Sequence, residues 1–179
     1  MREHGFHETA QGILTEIRGV LARVSAEEVA ALEDALATAG TVFVAGAGRS
    51  GLVARCFAMR LTHLGLRAHA VGDTTAPPIA AADLLVAISG SGETDTTCSL
   101  AKRAAALGAR VVAVTGAAGS SLARLAHLTV VIPSSPSQQF GGTLFEQTAV
   151  VLLDAAALRL QQRLAQTTEQ MEARHANLE

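Results

Sequence analysis

Residues Leu84-Leu85-Val86-Ala87-Ile88 form an unbroken apolar run that ends in Ser89-Gly90-Ser91-Gly92-Glu93-Thr94 and opens onto a helix-forming stretch. A run with no polar alternation is the pattern of a strand buried on both faces, which requires a parallel sheet with helices packed on each side. The loop after it has the composition of a phosphate cradle. Its glycines allow a tight turn in which N–H groups converge, while Ser89, Ser91 and Thr94 add hydroxyls and the next helix adds its positive N-terminal dipole. A nucleotide-hydrolysing loop would need Gly-Lys-Ser/Thr at its end, and here Glu93 follows Gly92. The remaining structural alternative is a serine-rich helix cap.

The same alternation repeats along the chain. Two amphipathic helices are predicted at 6–24 and 26–39, the second opened by a capping box from Ser25 to Glu28. Strands follow at 41–45, 67–71, 84–89, 110–115 and 128–133, separated by helices at 51–64, 95–107 and 121–126. A long helix runs from 143 to at least 163, and the proline-rich stretch 72–83 is left unassigned. These elements predict an α/β fold, a three-layer α/β/α sandwich around a five-stranded parallel sheet. One domain is expected over 1–179, with N-terminal helices to 40, a sheet core over 41–133 and C-terminal helices over 143–179. In such sheets ligands bind beyond the strand C-termini, which is where the 89–94 loop falls.

Composition narrows the partners. With 49% hydrophobic residues in 179, the chain can fill one core, and a net charge of −2 offers no basic surface for nucleic acid or anionic lipid. No apolar run is long enough to span a bilayer, and Met1-Arg2-Glu3-His4-Gly5 leads into no signal core, so a cytoplasmic location is expected. Cys56 and Cys98 have no metal-ligand spacing and read as buried thiols of a reducing compartment. The six histidines form no ligand cluster, and His4 with His7 has the spacing of a solvated face. Neither a metal nor another cofactor is expected.

A second glycine loop, Gly46-Ala47-Gly48-Arg49-Ser50-Gly51, matches the dinucleotide spacing GxGxxG, with Asp73 where a ribose-binding acid could stand. Against a nicotinamide site, Arg49 and Ser50 are polar, anion-seeking side chains, and the loop at Ser89 has no role in a dinucleotide half-site. Two such loops at one sheet edge suit one small phosphorylated ligand. Close helix–strand packing is the structural reading for Gly46 and Gly51.

Ser89-Gly90-Ser91-Gly92-Glu93-Thr94 resembles the phosphate signature of the sugar isomerase (SIS) domain family. Further segments resemble the family's 6-phospho-3-hexuloisomerase branch. They are Gly46-Ala47-Gly48-Arg49-Ser50-Gly51, Ala58-Met59-Arg60-Leu61, His63-Leu64-Gly65, Ala113-Val114-Thr115-Gly116, Gly142-Thr143-Leu144-Phe145-Glu146 and Arg174-His175-Ala176-Asn177-Leu178-Glu179. Together they span nearly the whole chain. Asp73 departs from the branch's more frequent Glu, Pro77-Pro78 from its single Pro, and Phe140-Gly141 from a Pro followed by Leu or Met. The resemblance implies conversion of hex-3-ulose 6-phosphate to fructose 6-phosphate through a 2,3-enediol, in the ribulose monophosphate pathway of formaldehyde fixation. It also implies a homo-oligomer, a tetramer in the family. Another SIS-type aldose–ketose isomerase of a pentose phosphate, or a non-catalytic sugar-phosphate sensor, are the alternatives. For a sensor the first 40 residues lack basic charge and helix-turn-helix punctuation.

The enediol route needs a phosphate anchor, a base and donors for the enediolate. Gly48, Arg49, Ser50, Ser89, Gly90, Ser91, Gly92, Glu93 and Thr94 are the candidate sugar-phosphate ligands. By resemblance the base is Glu146. Thr143-x-x-Glu146 also has capping-box spacing, but the 134–142 loop of Ser, Pro, Gln and Gly leads back to the ligand-facing edge and delivers Glu146 there. Arg49 is suited to phosphate or to the enediolate oxygen, or to an ordinary surface ion pair. Arg60 and His63 read as packing or subunit-contact residues. His175, in a polar terminal helix, is implied by the resemblance to reach a neighbouring subunit's site as a second acid/base. The leucine-rich faces of 6–24 and 143–164 are the predicted subunit contacts.

Overall fold

In the computed structural model, residues 5–178 are described; His4, with the rest of 1–4, and Glu179 lie outside the described residues. Strands β1 (Val42–Gly46), β2 (Ala68–Ala70), β3 (Leu84–Ser89), β4 (Arg110–Thr115) and β5 (Leu128–Val131) alternate with helices. The helices are α1 (Phe6–Leu21), α2 (Ala26–Thr38), α3 (Gly48–His63), α4 (Asp95–Ala106), α5 (Ser121–Leu125), α6 (Thr143–Arg163) and α7 (Thr168–Glu172). The five strands lie in the order β2-β1-β3-β4-β5 and every pairing is parallel. Its switch point falls between β1 and β3, the crevice in which sheets of this order bind ligands.

Alternation along the strands divides the core. Val42, Val44, Leu84, Val86, Ile88, Val112, Val114 and Val130 point to one face, where α1, α2, α3 and α6 cover them. Phe43, Ala45, Leu85, Ala87, Val111 and Ala113 point to the other, against Ala101 and Ala104 of α4 and Leu122 of α5. Alanines on both sides of that second interface shorten the gap that α4 must bridge. All six residues of β3 are buried, as expected for the central strand of a sheet covered twice.

Helix α3 starts at Gly48, three residues before the start predicted from the sequence. Its first turn lies against the end of β1: a Cβ on Gly46 would stand 2.8 Å from the Ser50 carbonyl, and one on Gly51 would stand 2.7 Å from the Gly46 oxygen. Backbone approach therefore accounts for the first and last glycines of the loop without a dinucleotide. Asp73 is engaged by Arg55 of α3 at 2.7 Å. We expect Gly51→Ala to destabilise the fold by about 1–3 kcal/mol in denaturant titration, because the added methyl would collide with the Gly46 backbone. An unchanged midpoint would mean that the end of β1 shifts freely.

The leucine-rich faces of α1 and α6 are used mostly within the chain. Ile17 and Val20 of α1 and Leu144, Leu152, Leu153 and Leu160 of α6 are core residues. Leu14, Val151 and Leu158 on these helices stay exposed, as do Leu52 and Met59 of α3. Glu33 of α2, only 4% exposed, is clasped by Arg159 of α6 at 2.6 and 3.3 Å. Contrary to expectation Cys56 is exposed, because its position on α3 faces outward. Cys98 is half-buried beside the β3–α4 loop, where desolvation pushes its thiol pKa up. No helix is long and apolar enough to cross a membrane among the described residues.

Candidate active site

Parallel register brings Gly46, Ile88 and Ser89, and Thr115 to one edge of the sheet. The 89–94 loop is wound on its own hydroxyls. Ser89 Oγ accepts the Gly92 N–H at 3.1 Å and stands 3.0 Å from Thr94 Oγ1, and Ser91 Oγ accepts the Glu93 N–H at 3.1 Å. Ser89 is buried and organises the turn, while Ser91 is exposed at its tip. Gly92 has φ +66°, and a Cβ there would fall 2.1 Å from Ser120 Oγ, so only glycine fits.

The next loop braces this one. The Gly116 N–H donates to the Gly90 oxygen at 3.0 Å, and the Leu122 N–H to the Gly92 oxygen at 2.9 Å. Glu93 completes the brace: its carboxylate accepts the Ser121 N–H at 2.8 Å. Hydrogen bonding from Ser121, aided by the charge of Arg124, holds the Glu93 carboxyl below the usual carboxylate range. The Glu93 side chain thus turns toward α5.

Beside this loop a cavity of about 350 Å³ is lined by Gly90, Ser91, Gly116, Ser134, Gly142 and Phe145, among others. The 134–142 segment forms its far wall and leads into α6. That helix begins at Thr143 with Gly142 as N-cap, so Thr143 is inside the helix and its hydroxyl donates back to the Phe140 oxygen at 2.6 Å. No capping box forms there. The Glu146 carboxylate instead meets Arg49 Nε at 2.5 Å, joining the first turn of α3 to the first turn of α6. Arg49 is 60% exposed and Glu146 16%, so the pair sits at the rim with the carboxylate on its inner side. Neither residue of the pair lines the cavity, whereas Phe145, the neighbour of Glu146 in α6, does. Ser50, in the first turn of α3, is buried just behind it.

This arrangement carries the signature of one family. Residues 35–159 match the SIS domain. The chain belongs to the SIS domain family. Over 92% of its length this SIS protein is 44% identical to a Mycobacterium gastri protein named 3-hexulose-6-phosphate isomerase, covering 86% of that relative. A Bacillus subtilis protein of the same name is 41% identical, with 93% of this chain and 95% of the relative covered. Among solved structures, a Methanococcus jannaschii protein superposes with a TM-score of 0.87 at 33% identity, over 96% of this SIS chain and 99% of that one. Its structure was described as inferring a 3-hexulose-6-phosphate isomerase function.

Within the SIS fold, Gly48, Arg49, Ser50, the 89–94 loop and Glu146 share the strand C-terminal edge. His175 does not join them. Its ring stacks on that of His63 with centroids 5.0 Å apart and planes at 23°. Neighbouring Arg174 donates to the His63 oxygen at 3.0 Å and to Gln166 Oε1 at 2.9 Å. His63 ends α3 and Arg49 begins it, a separation of about 21 Å along the helix at ~1.5 Å per residue. Three features of the site escaped sequence reasoning: the Glu93 brace, Phe145 beside Gly90, and the face of α1 that meets the 134–142 segment. The i, i+4, i+7 spacing of Glu16, Val20 and Arg23 sets them along one side of α1 and the turn after it, but nothing in the sequence says that this side meets the 134–142 segment. Among the described residues no group of three or more His, Cys, Asp or Glu is placed to hold a metal ion.

Proposed function

We propose that this chain isomerises hex-3-ulose 6-phosphate to fructose 6-phosphate through a 2,3-enediol. The observation that carries the reading is the Arg49–Glu146 pair beside a hydroxyl-rich phosphate loop, in a chain whose near full-length relatives are named for this reaction. The phosphate binds at the 89–94 loop, on Ser91, Thr94 and the first turn of α4, with Ser50 opposite. Glu146 takes the proton from C2 as the C3 carbonyl becomes an enediolate, then returns it to C3 as the C2 carbonyl forms. The hydroxyl proton moves from O2 to O3, so the reaction balances without a redox partner. Arg49 holds the carboxylate in place and faces the developing oxyanion. Direct assay of the purified protein with hex-3-ulose 6-phosphate tests this, with fructose 6-phosphate as the expected product. Binding of sugar phosphate with no turnover would make the chain a sensor, and turnover only of a pentose phosphate would make it a different SIS isomerase.

The proposal extends to a homo-oligomer, a tetramer by family resemblance, supported by the exposed Leu52, Met59, Val151 and Leu158. In it His175 serves the site of a neighbouring subunit as the acid/base for the hydroxyl proton. Its distance from Glu146 in its own chain supports a role across subunits. Hybrids assembled from Glu146→Gln and His175→Ala subunits are expected to regain activity that neither parent has. Full activity of the His175→Ala homo-oligomer, or no rescue in verified hybrids, would sink the shared-site role.

A further inference from the structure

One face of helix α1 is committed to the segment that walls the cavity. Glu16 gathers three donors from that segment: Ser137 Oγ at 2.7 Å, Gln139 Nε2 at 3.0 Å and the Gln138 N–H at 3.2 Å. One helical turn on, Val20 lines the cavity itself. Beyond it Arg23 donates to the carbonyl oxygens of Pro133 and Ser134 at 3.4 and 3.3 Å. A loop of Ser, Pro, Gln and Gly whose single large apolar side chain, Phe140, is 93% exposed has little packed apolar surface with which to hold its own shape. Between Ile132, buried at the end of the sheet, and Leu144, buried in α6, these contacts tie it to a rigid element.

We propose that Glu16 is a positioning residue that latches the 134–142 segment in the conformation that walls the sugar end of the site and sets the start of α6 ahead of Glu146. The carboxylate suits this role because its two oxygens can accept all three donors at once, which no neutral side chain of that length can do. The donors from Gln139, Ser137 and Gln138 hold the Glu16 carboxyl below its ordinary value, so it is ionised at neutral pH. The phosphate end needs no such latch, being braced by Gly116, Ser121 and Leu122 instead. The latch therefore separates recognition of the sugar from recognition of the phosphate.

The inference rests on the sugar-phosphate reading for its choice of ligand, and the test separates the two. Hydrogen exchange of Glu16→Ala is expected to show faster exchange confined to 134–142. By calorimetry its affinity for fructose 6-phosphate is expected to fall about tenfold, while that for inorganic phosphate stays within about twofold. KM should rise by a similar factor, and Glu16→Gln, which keeps one acceptor oxygen, should lie between. If Glu16→Ala does not fold, the double variant Ser137→Ala/Gln139→Ala removes the same bonds from the other side and should give the same split. Unchanged exchange in the segment, or a parallel loss of inorganic phosphate affinity, would overturn the latch. A wild-type protein that binds inorganic phosphate but not fructose 6-phosphate would sink the isomerase reading instead, and the exchange measurement would still decide the latch.

Discussion

Glu146→Gln is expected to lower turnover of hex-3-ulose 6-phosphate by about 10²–10⁴ while leaving the protein folded and able to bind fructose 6-phosphate, as for loss of a general base. Glutamine keeps the size and a hydrogen-bond acceptor for Arg49 but cannot take a proton from carbon. A purely structural Glu146 predicts a different pattern. Its partner Arg49 is 60% exposed, and a rim ion pair of that kind is worth about 0–1 kcal/mol. The carboxylate makes no cap at the start of α6, where Gly142 is the N-cap and Thr143 bonds to Phe140. A bracing role would thus show as a small loss of melting temperature with turnover near wild type. Turnover within about threefold of wild type, after correction for the folded fraction, would remove Glu146 from the reaction.

Ser91→Asp should reduce fructose 6-phosphate and inorganic phosphate affinity together, by about 10–100-fold, because it sets a negative charge at the tip of the turn proposed to hold the phosphate. The loop itself should survive. Ser91 is exposed, and its one hydrogen bond within the loop accepts the Glu93 N–H, which an aspartate oxygen can also accept. Ser91→Ala, which loses only the hydroxyl, should show a smaller effect in the same titration. Equal affinity in wild type and Ser91→Asp would place the phosphate elsewhere. This joint loss is the opposite of the split expected at Glu16, so the two variants probe the two ends of the ligand separately.

The fold was legible because its central strands are nearly continuous apolar runs. β3 and β4 match the predicted 84–89 and 110–115, and α6 begins at the predicted 143. Where backbone contact rather than side-chain pattern decides, reading failed by a few residues: α3 starts at Gly48 because its first turn leans on the end of β1. Capping boxes show the same limit. Ser25 does cap α2 through the Glu28 N–H, but the Glu28 side chain leaves its own helix to accept the Val131 N–H at 2.8 Å. At Thr143 the same spacing yields no box, and the glutamate goes to Arg49.

Local pattern by itself determined the elements, the parallel sheet and the edge at which its loops gather, because burial on both faces and glycine-rich turns are written in neighbouring residues. Side-chain destinations were decided only by tertiary structure. That Glu146 meets Arg49, that Glu93 turns to Ser121, that Glu16 gathers the 137–139 segment and that His175 stacks on His63 all depend on residues far apart in the chain. A carboxylate's partner is set by whichever donors the packed layers bring within about 3 Å, and no spacing along the chain encodes that.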